Sequence, residues 1–413
     1  MKKIAVMLPI PYKGGSLRAA KNMAKSIAYQ ARQRGDDIQV VFSYVRNDNY
    51  NIYSDFSDLT KANIALRETQ WKAFSKESLQ AAAALLEINN DVLEFDEFCL
   101  PVDGANDFND CDLWIIISDR LPAPLFPLKK NAFVVFDYIQ RYVPEIFGDS
   151  EELWNNQVAC FMASLRNSAK VFVTTPSTQQ DLISYAGVEE HRTHLLELDF
   201  QLPNFVETAK NVNIPENYIL WTTNAAYHKN HINALKGYEI YLQEYGGINH
   251  LVITGVDTEV FDPKFDLEKD SPFLNCVHIN KIRDKLEKNK ILADHIHIMG
   301  NISDRIYMSV LKNAHYLWHP ALYDNGTFSV LEAAYLGVPS LSAHYPAMAY
   351  FNQKFNLNLK FFNPRNPVEI ADALKEMETS AKSIALPPKE ALAQSGWENL
   401  SAPLYNEITS LLN

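Results

Sequence analysis

Residues 315–341 read HYLWHPALYDNGTFSVLEAAYLGVPSL. A short apolar run, Tyr316 to Trp318, reads as a strand that enters a loop from Pro320 to Thr327. A helix of about nine residues follows, closed by Gly337 and stopped by Pro339, because glycine just past the last turn with proline beyond it ends helices. A second strand begins near Ser340. The stretch is therefore a strand–loop–helix–strand unit, and open parallel sheets bind ligands at such loops, outside the carboxyl ends of their strands.

The helix carries a further clue. Phe328, Val330, Leu331, Ala333, Ala334, Tyr335 and Leu336 are apolar, and no Lys or Arg interrupts them. Ser329 and Glu332, three residues apart, share one face. A helix apolar nearly all round is buried, and a buried carboxylate is costly unless it is paired or hydrogen-bonded. An acid can also be favoured near a helix N-terminus by the dipole alone. That account suits a solvated helix, so Glu332 is read as facing a ligand.

Composition sets the frame. The chain has 413 residues, enough for two domains of ordinary size, with 47% hydrophobic and 21% charged residues, as in soluble globular proteins. A net charge of −12 argues against a general nucleic-acid binder, which must neutralise phosphates. The cysteines Cys99, Cys111, Cys160 and Cys276 are scattered, with neither metal spacing nor a disulfide framework, as in a reducing compartment. The N-terminal MKKIAVMLPIPYK holds too short an apolar run for a signal peptide and reads as a first strand. No run approaches the ~20 apolar residues of a membrane span. A cytoplasmic protein is expected.

Strands alternate with helices outward from the opening stretch. Ile4–Leu8, Gln39–Val45, Leu113–Ser118, Ala132–Phe136 and Lys170–Thr174 read as buried strands of a first doubly wound domain. Ser16 is a candidate cap for a helix running to about Arg34 and ended by Gly35. Gly14 and Gly15 form a strand-to-helix turn that a ligand's anionic group could approach. Arg18, Lys21 and Lys25 form a cationic strip on that helix, an ordinary solvated face or else a contact for an anionic lipid or membrane surface. Residues 46–90 are irregular and polar, with a helix near Ser78 to Glu87. Residues 201–217 read as a linker. The alternation restarts with strands Tyr218–Trp221, Leu251–Thr254 and His295–Met299, and a helix that Ser303 would cap. The expected boundaries are 1–205, 206–392, and a C-terminal segment 393–413 packing back on the first domain.

Three smaller motifs need weighing. Thr222 to Lys229 (TTNAAYHK) joins a strand to a helix expected to be capped by Asn230, a position suited to a phosphate or diphosphate. Asp110-Cys111-Asp112 has a metal-binding D-x-D pattern but precedes its strand, at the wrong edge, and reads as a strand-entry turn. His295 and His297 share a strand face without further ligands and read as structural.

The C-terminal half resembles the retaining, nucleotide-sugar-dependent transferases of glycosyltransferase family 4, which have the GT-B fold. Asp324 and Glu332, within DNGTFSVLEAAYLGVP, take the places of the family's paired acids separated by seven residues. GNISDRIYMSVLKNAHYLWHPALY is similar to the run before that motif, Lys229-Asn230 to its K-N, and Ser395-Gly396-Trp397-Glu398 to the start of its last helix. FDYIQRYVPEIF resembles a family segment of the type H-D-x-x-P…P. The resemblance implies two doubly wound parallel-sheet domains facing a cleft, a nucleotide-sugar donor and no metal or other cofactor. It implies that Glu332 binds the ribose, that Asp324 lies near the donor sugar, and that the amides of Asn325, Gly326, Thr327 and Phe328 line the sugar or diphosphate. Lys229 would balance the leaving diphosphate, Gly300, Asn301 and Ile302 would lie beside the base, and Gly14 and Gly15 would close the site. Asp137 would position the acceptor.

This sequence departs from the pattern in three places. Asn224 stands where the family often has an arginine, Asp324 is a methylene shorter than the commoner Glu, and Phe136 replaces a histidine. The expected activity is hexosyl transfer to a glycan or lipid-linked acceptor. A GT-B epimerase or phosphorylase, and a GT-B-like binding protein without activity, are the rivals.

Overall fold

The computed structural model describes residues 1–48, 50–89, 92–147, 151–197, 214–325 and 328–412, with backbone only at 147 and 151–157. The chain divides into two compact units. One comprises Met1–Tyr138, Asp149–Gln201 and Gln394–Asn413; the other comprises Ile139–Gly148 and Leu202–Ala393. Most of the expected linker, residues 201–213, lies outside the described residues.

The first unit is built on an eight-stranded sheet of order β4-β3-β2-β1-β5-β6-β7-β8. Its strands are β1 (Lys2–Leu8), β2 (Ile38–Val45), β3 (Ala65–Ser75), β4 (Glu97–Val102), β5 (Leu113–Ile117), β6 (Asn131–Val134), β7 (Lys170–Val173) and β8 (Thr193–Leu195). Every pairing is parallel except β3 with β4. The central strands are continuous apolar runs because helices cover both faces of a parallel sheet; all of Leu113–Ile117 is buried. The long strand β3 was not expected from the polar stretch 46–90. Its side chains are mostly exposed or half-buried because it lies near the sheet edge.

Helix Gly15–Arg34 follows β1 and ends at Gly35 in the left-handed conformation. Its N-cap is Gly14, without a side-chain hydrogen bond, so Ser16 lies inside the first turn and does not cap it. The cationic strip is also corrected. Lys21 and Lys25 both pair with Asp58, at 2.7 and 3.3 Å, and Lys25 is buried beneath the Trp397 ring. Helix Trp397–Ser410 belongs to this unit, with Tyr405 and Ile408 in its core and Gln30 donating to Ser401 at 2.8 Å.

The second unit has a six-stranded, wholly parallel sheet of order β11-β10-β9-β12-β13-β14. Its strands are β9 (Tyr218–Thr222), β10 (His250–Thr254), β11 (Ile296–Gly300), β12 (Tyr316–His319), β13 (Ser340–Ala343) and β14 (Lys360–Phe362). Chain order reverses between β9 and β12, the position at which open parallel sheets receive ligands. Trp221 and Trp318 fill the core beneath that point, with ring centroids 5.1 Å apart. No helix among the described residues is long and apolar enough to cross a membrane.

Gly255, just after β10, has φ of +134°, and a Cβ there would lie 1.8 Å from the Thr223 carbonyl oxygen. Gly246 also has positive φ but open space around it. Gly255→Ala should therefore lower the unfolding free energy by about 2 kcal/mol or more, against about 1 for Gly246→Ala. Urea unfolding of the two variants checks this; equal losses would contradict the close approach.

Candidate functional site

The loops after β9 and β12 meet at the strand-order reversal. Asn230, expected as a helix cap, is instead left-handed with φ of 70° and makes no capping bond. Its amide nitrogen donates to the Pro320 carbonyl at 2.9 Å and the Pro364 carbonyl at 2.7 Å. The Leu322 amide donates to the His228 carbonyl at 2.8 Å. These bonds fix the two loops to one another and so place Lys229 and Asp324 together.

Lys229 Nζ donates to Asp324 Oδ2 in an ion pair whose side chains are only 16% and 14% exposed. Burial alone would raise the Asp324 carboxyl; the Lys229 ammonium, with His319 and His228 adding to it, brings it down to about 2. Asp324 Oδ1 also accepts from the Asn325 amide at 2.9 Å. An ammonium carries three donors, so an acid on one side does not prevent Lys229 from meeting a second anion.

His319, at the end of β12, was not singled out from sequence. Its Nε2 lies 2.9 Å from the Tyr345 hydroxyl and 3.8 Å from Asp324 Oδ2. Burial, with Lys229 nearby, lowers it to about 4 despite Asp324, so it is neutral at pH 7. The signal available was a histidine ending a buried strand before Pro320. Beside it, Tyr323 stacks on Tyr142 with centroids 4.0 Å apart and an interplanar angle of 7°. Tyr142 comes from the Ile139–Gly148 segment, which belongs to this unit.

Helix Phe328–Leu336 is buried from Ser329 through Ala334, as its composition predicts. Glu332 is 3% exposed and accepts the Tyr307 hydroxyl at 2.9 Å on Oε2. Tyr307 lies on helix Asp304–Asn313, which Ser303 caps. That helix follows Gly300, Asn301 and Ile302, so one phenol ties the buried acid to the element after this loop. Gly300 is left-handed, and its carbonyl accepts from Thr254 Oγ1 at 2.8 Å.

Asn224 turns back on its own loop, its Oδ1 accepting the Ala226 amide at 3.1 Å. Phe328 opens the buried helix, and Gly326 and Thr327 lie outside the described residues. Gly14, Gly15 and Asp137 are in the first unit, Asp137 half-buried after β6. Asp110 and Asp112 are committed to ion pairs: Asp110 with Arg67 at 2.6 Å and Lys3 at 2.9 Å, Asp112 with Lys2 at 3.1 Å. His297 Nε2 lies 3.1 Å from His250 Nδ1.

No family model and no curated protein matches the sequence. Solved structures do match over nearly the full chain. Sucrose-phosphate synthase from Thermosynechococcus elongatus is 15% identical with a TM-score of 0.66, covering 99% of this chain and 100% of that one. HepE from Anabaena in complex with UDP-glucose is 12% identical with a TM-score of 0.65, covering 99% and 100%. WaaG, a glycosyltransferase involved in lipopolysaccharide biosynthesis, is 14% identical with a TM-score of 0.54, covering 99% and 95%. At these identities the likeness establishes the fold, which is GT-B: two α/β units, each on its own sheet, parallel throughout except for β3 with β4.

Because the folded value of His319 lies below the unfolded ~6.5, the unfolded chain binds the extra proton as pH falls. The corresponding stability is complete above pH ~6.5 and is lost towards pH 4, by about 3 kcal/mol in the limit. Unfolding free energies of wild type and His319→Gln across that range should diverge by this slope; parallel curves would show an already charged imidazole. For the ion pair, Lys229→Met and Asp324→Leu should each cost about 3 kcal/mol by stranding a buried charge, and the double variant much less than their sum. Additive losses in urea unfolding would refute the pairing.

Proposed function

We propose that the protein is a retaining, nucleotide-sugar-dependent glycosyltransferase of the family 4 type. It would move a hexose-type sugar from a nucleoside-diphosphate donor to a glycan or lipid-linked saccharide acceptor. The observation that carries this reading is the Lys229–Asp324 pair at the strand-order reversal, with seven residues between Asp324 and the buried Glu332. The fold supports it: HepE has been solved with UDP and with UDP-glucose.

In this reading the donor binds the second unit. A ribose hydroxyl shares the Glu332 carboxylate with Tyr307. The diphosphate lies against Lys229, whose charge stabilises the developing phosphate anion, the largest requirement of such a transfer. Asp324 holds Lys229 in place and lies beside the sugar. The Gly300–Ile302 loop takes the base, and the amides of residues 325–328 meet the sugar or diphosphate. The bond from the anomeric carbon to the phosphate oxygen breaks as the acceptor oxygen bonds to the same face, and the acceptor proton passes to the leaving phosphate. No metal is required. Asp137 positions the acceptor, and Gly14 and Gly15 close the donor site. Any peripheral membrane contact would use groups other than Lys21 and Lys25, which Asp58 holds.

A second reading, a GT-B-like binding protein without turnover, draws on Asn224, which stands in the arginine's place and is folded onto Ala226. Thermal shift and donor hydrolysis over UDP-, GDP- and dTDP-sugars distinguish the two. The transferase reading predicts a shift and slow hydrolysis with one donor, both lost in Glu332→Ala. A shift with no turnover, even with saccharide acceptors present, would favour the binding protein, and no shift with any nucleotide would refute both the donor site and the transferase reading. Lys229→Ala should weaken nucleoside-diphosphate binding by about tenfold or more, about 1.4 kcal/mol, and nucleoside binding little. Equal losses would refute the diphosphate assignment.

A further inference from the structure

The reversal of strand order in the first unit, between β1 and β5, carries a second group of buried polar side chains. Ser118, immediately after β5, has φ of 97°, a region that residues other than glycine avoid. Its amide is fixed to the Val134 carbonyl at 2.9 Å, and its hydroxyl lies 3.3 Å from that of Tyr12. Asp119 follows. Its side chain is 5% exposed, Oδ1 lies 3.6 Å from Arg120 Nε, and Oδ2 is buried without a hydrogen-bond partner among the described residues. Tyr138, beyond β6, is 1% exposed, and its hydroxyl is likewise buried without a hydrogen-bond partner among them.

A buried carboxylate oxygen without a donor is unfavourable in a free protein. Burial raises the Asp119 carboxyl, opposed by Arg120, and Asp119 in turn raises the Tyr138 phenol, after burial itself. These groups lie at the carboxyl ends of adjacent strands, where parallel sheets receive ligands. A carboxylate accepts two or more O–H donors, and a phenol both donates and accepts. Neighbouring hydroxyls on a sugar ring supply that combination. A cation does not fit as well, since no group of three or more His, Cys, Asp or Glu suited to a metal occurs among the described residues.

We propose that Asp119 is the hydroxyl-binding carboxylate of a saccharide site in the first unit, with the Tyr138 hydroxyl as its second polar contact. Its role as an acceptor site rests on the transferase reading; saccharide binding itself does not.

Ligand-observed saturation-transfer NMR on the full chain tests it, using the methyl glycosides of glucose, galactose, mannose, rhamnose and N-acetylglucosamine. Wild type should bind at least one. Asp119→Asn should weaken that binding at least tenfold, and Tyr138→Phe severalfold. Whichever nucleoside diphosphate shifts the wild-type melting temperature should shift that of Asp119→Asn equally. Asp119→Asn should also melt no lower than wild type, because the amide it introduces is easier to bury than a carboxylate with one oxygen lacking a donor. Silence of all five glycosides with wild type, undiminished binding in Asp119→Asn, or a lower melting temperature for that variant would each overturn the proposal. Asp119-dependent glycoside binding without any nucleotide shift would refute the transferase reading and leave this site standing.

Discussion

The second unit is organised around one buried ion pair. Lys229 and Asp324 come from loops after β9 and β12, strands adjacent in the sheet but far apart in sequence. Each charge alone would be costly where little water reaches it. Together they are held by a backbone that other groups have already fixed: Asn230 clamps Pro320 and Pro364, and Leu322 bonds to His228. His319, neutral and bonded to Tyr345, lies 3.8 Å from the Asp324 oxygen that Lys229 binds without adding a competing charge. The result is a cation whose position is set before any ligand arrives, as electrostatic stabilisation of a leaving group requires.

The centre of each sheet was readable from sequence, and of the edge strands only β11 was. β1, β2, β5, β6 and β7, and β9, β10, β12 and β13, are apolar runs between helices, because both their faces are covered. β3 and β4, β8 and β14 escaped notice. They lie at or next to the sheet edges, where one side of the backbone or much of the side-chain surface meets solvent, so no apolar run marks them. β14 shows the pattern in miniature, with exposed Lys360 and half-buried Phe361 before buried Phe362.

The site divides in the same way. Lys229, Asp324 and Glu332 could be named because each breaks a local pattern: a cation before a helix, an acid in a loop, a carboxylate in an apolar helix. Their partners could not be named. Tyr307 meets Glu332 across 25 residues and His319 meets Tyr345 across 26. Tyr and His at such separations carry no periodic signal. Asn230, Lys21 and Lys25 show the converse: sequence supplied plausible local roles, and tertiary partners took those groups for others. Asp119 belongs with these, since only the fold reveals that one of its oxygens is buried without a donor.

The central claim concerns what the Lys229–Asp324 pair and Glu332 jointly hold. A crystal structure with a bound nucleoside diphosphate tests it most directly. The account predicts diphosphate oxygens within hydrogen-bonding distance of Lys229 Nζ and ribose hydroxyls on the Glu332 carboxylate. A nucleotide bound elsewhere, with Lys229 touching only Asp324 and Glu332 remote from the ribose, would contradict it.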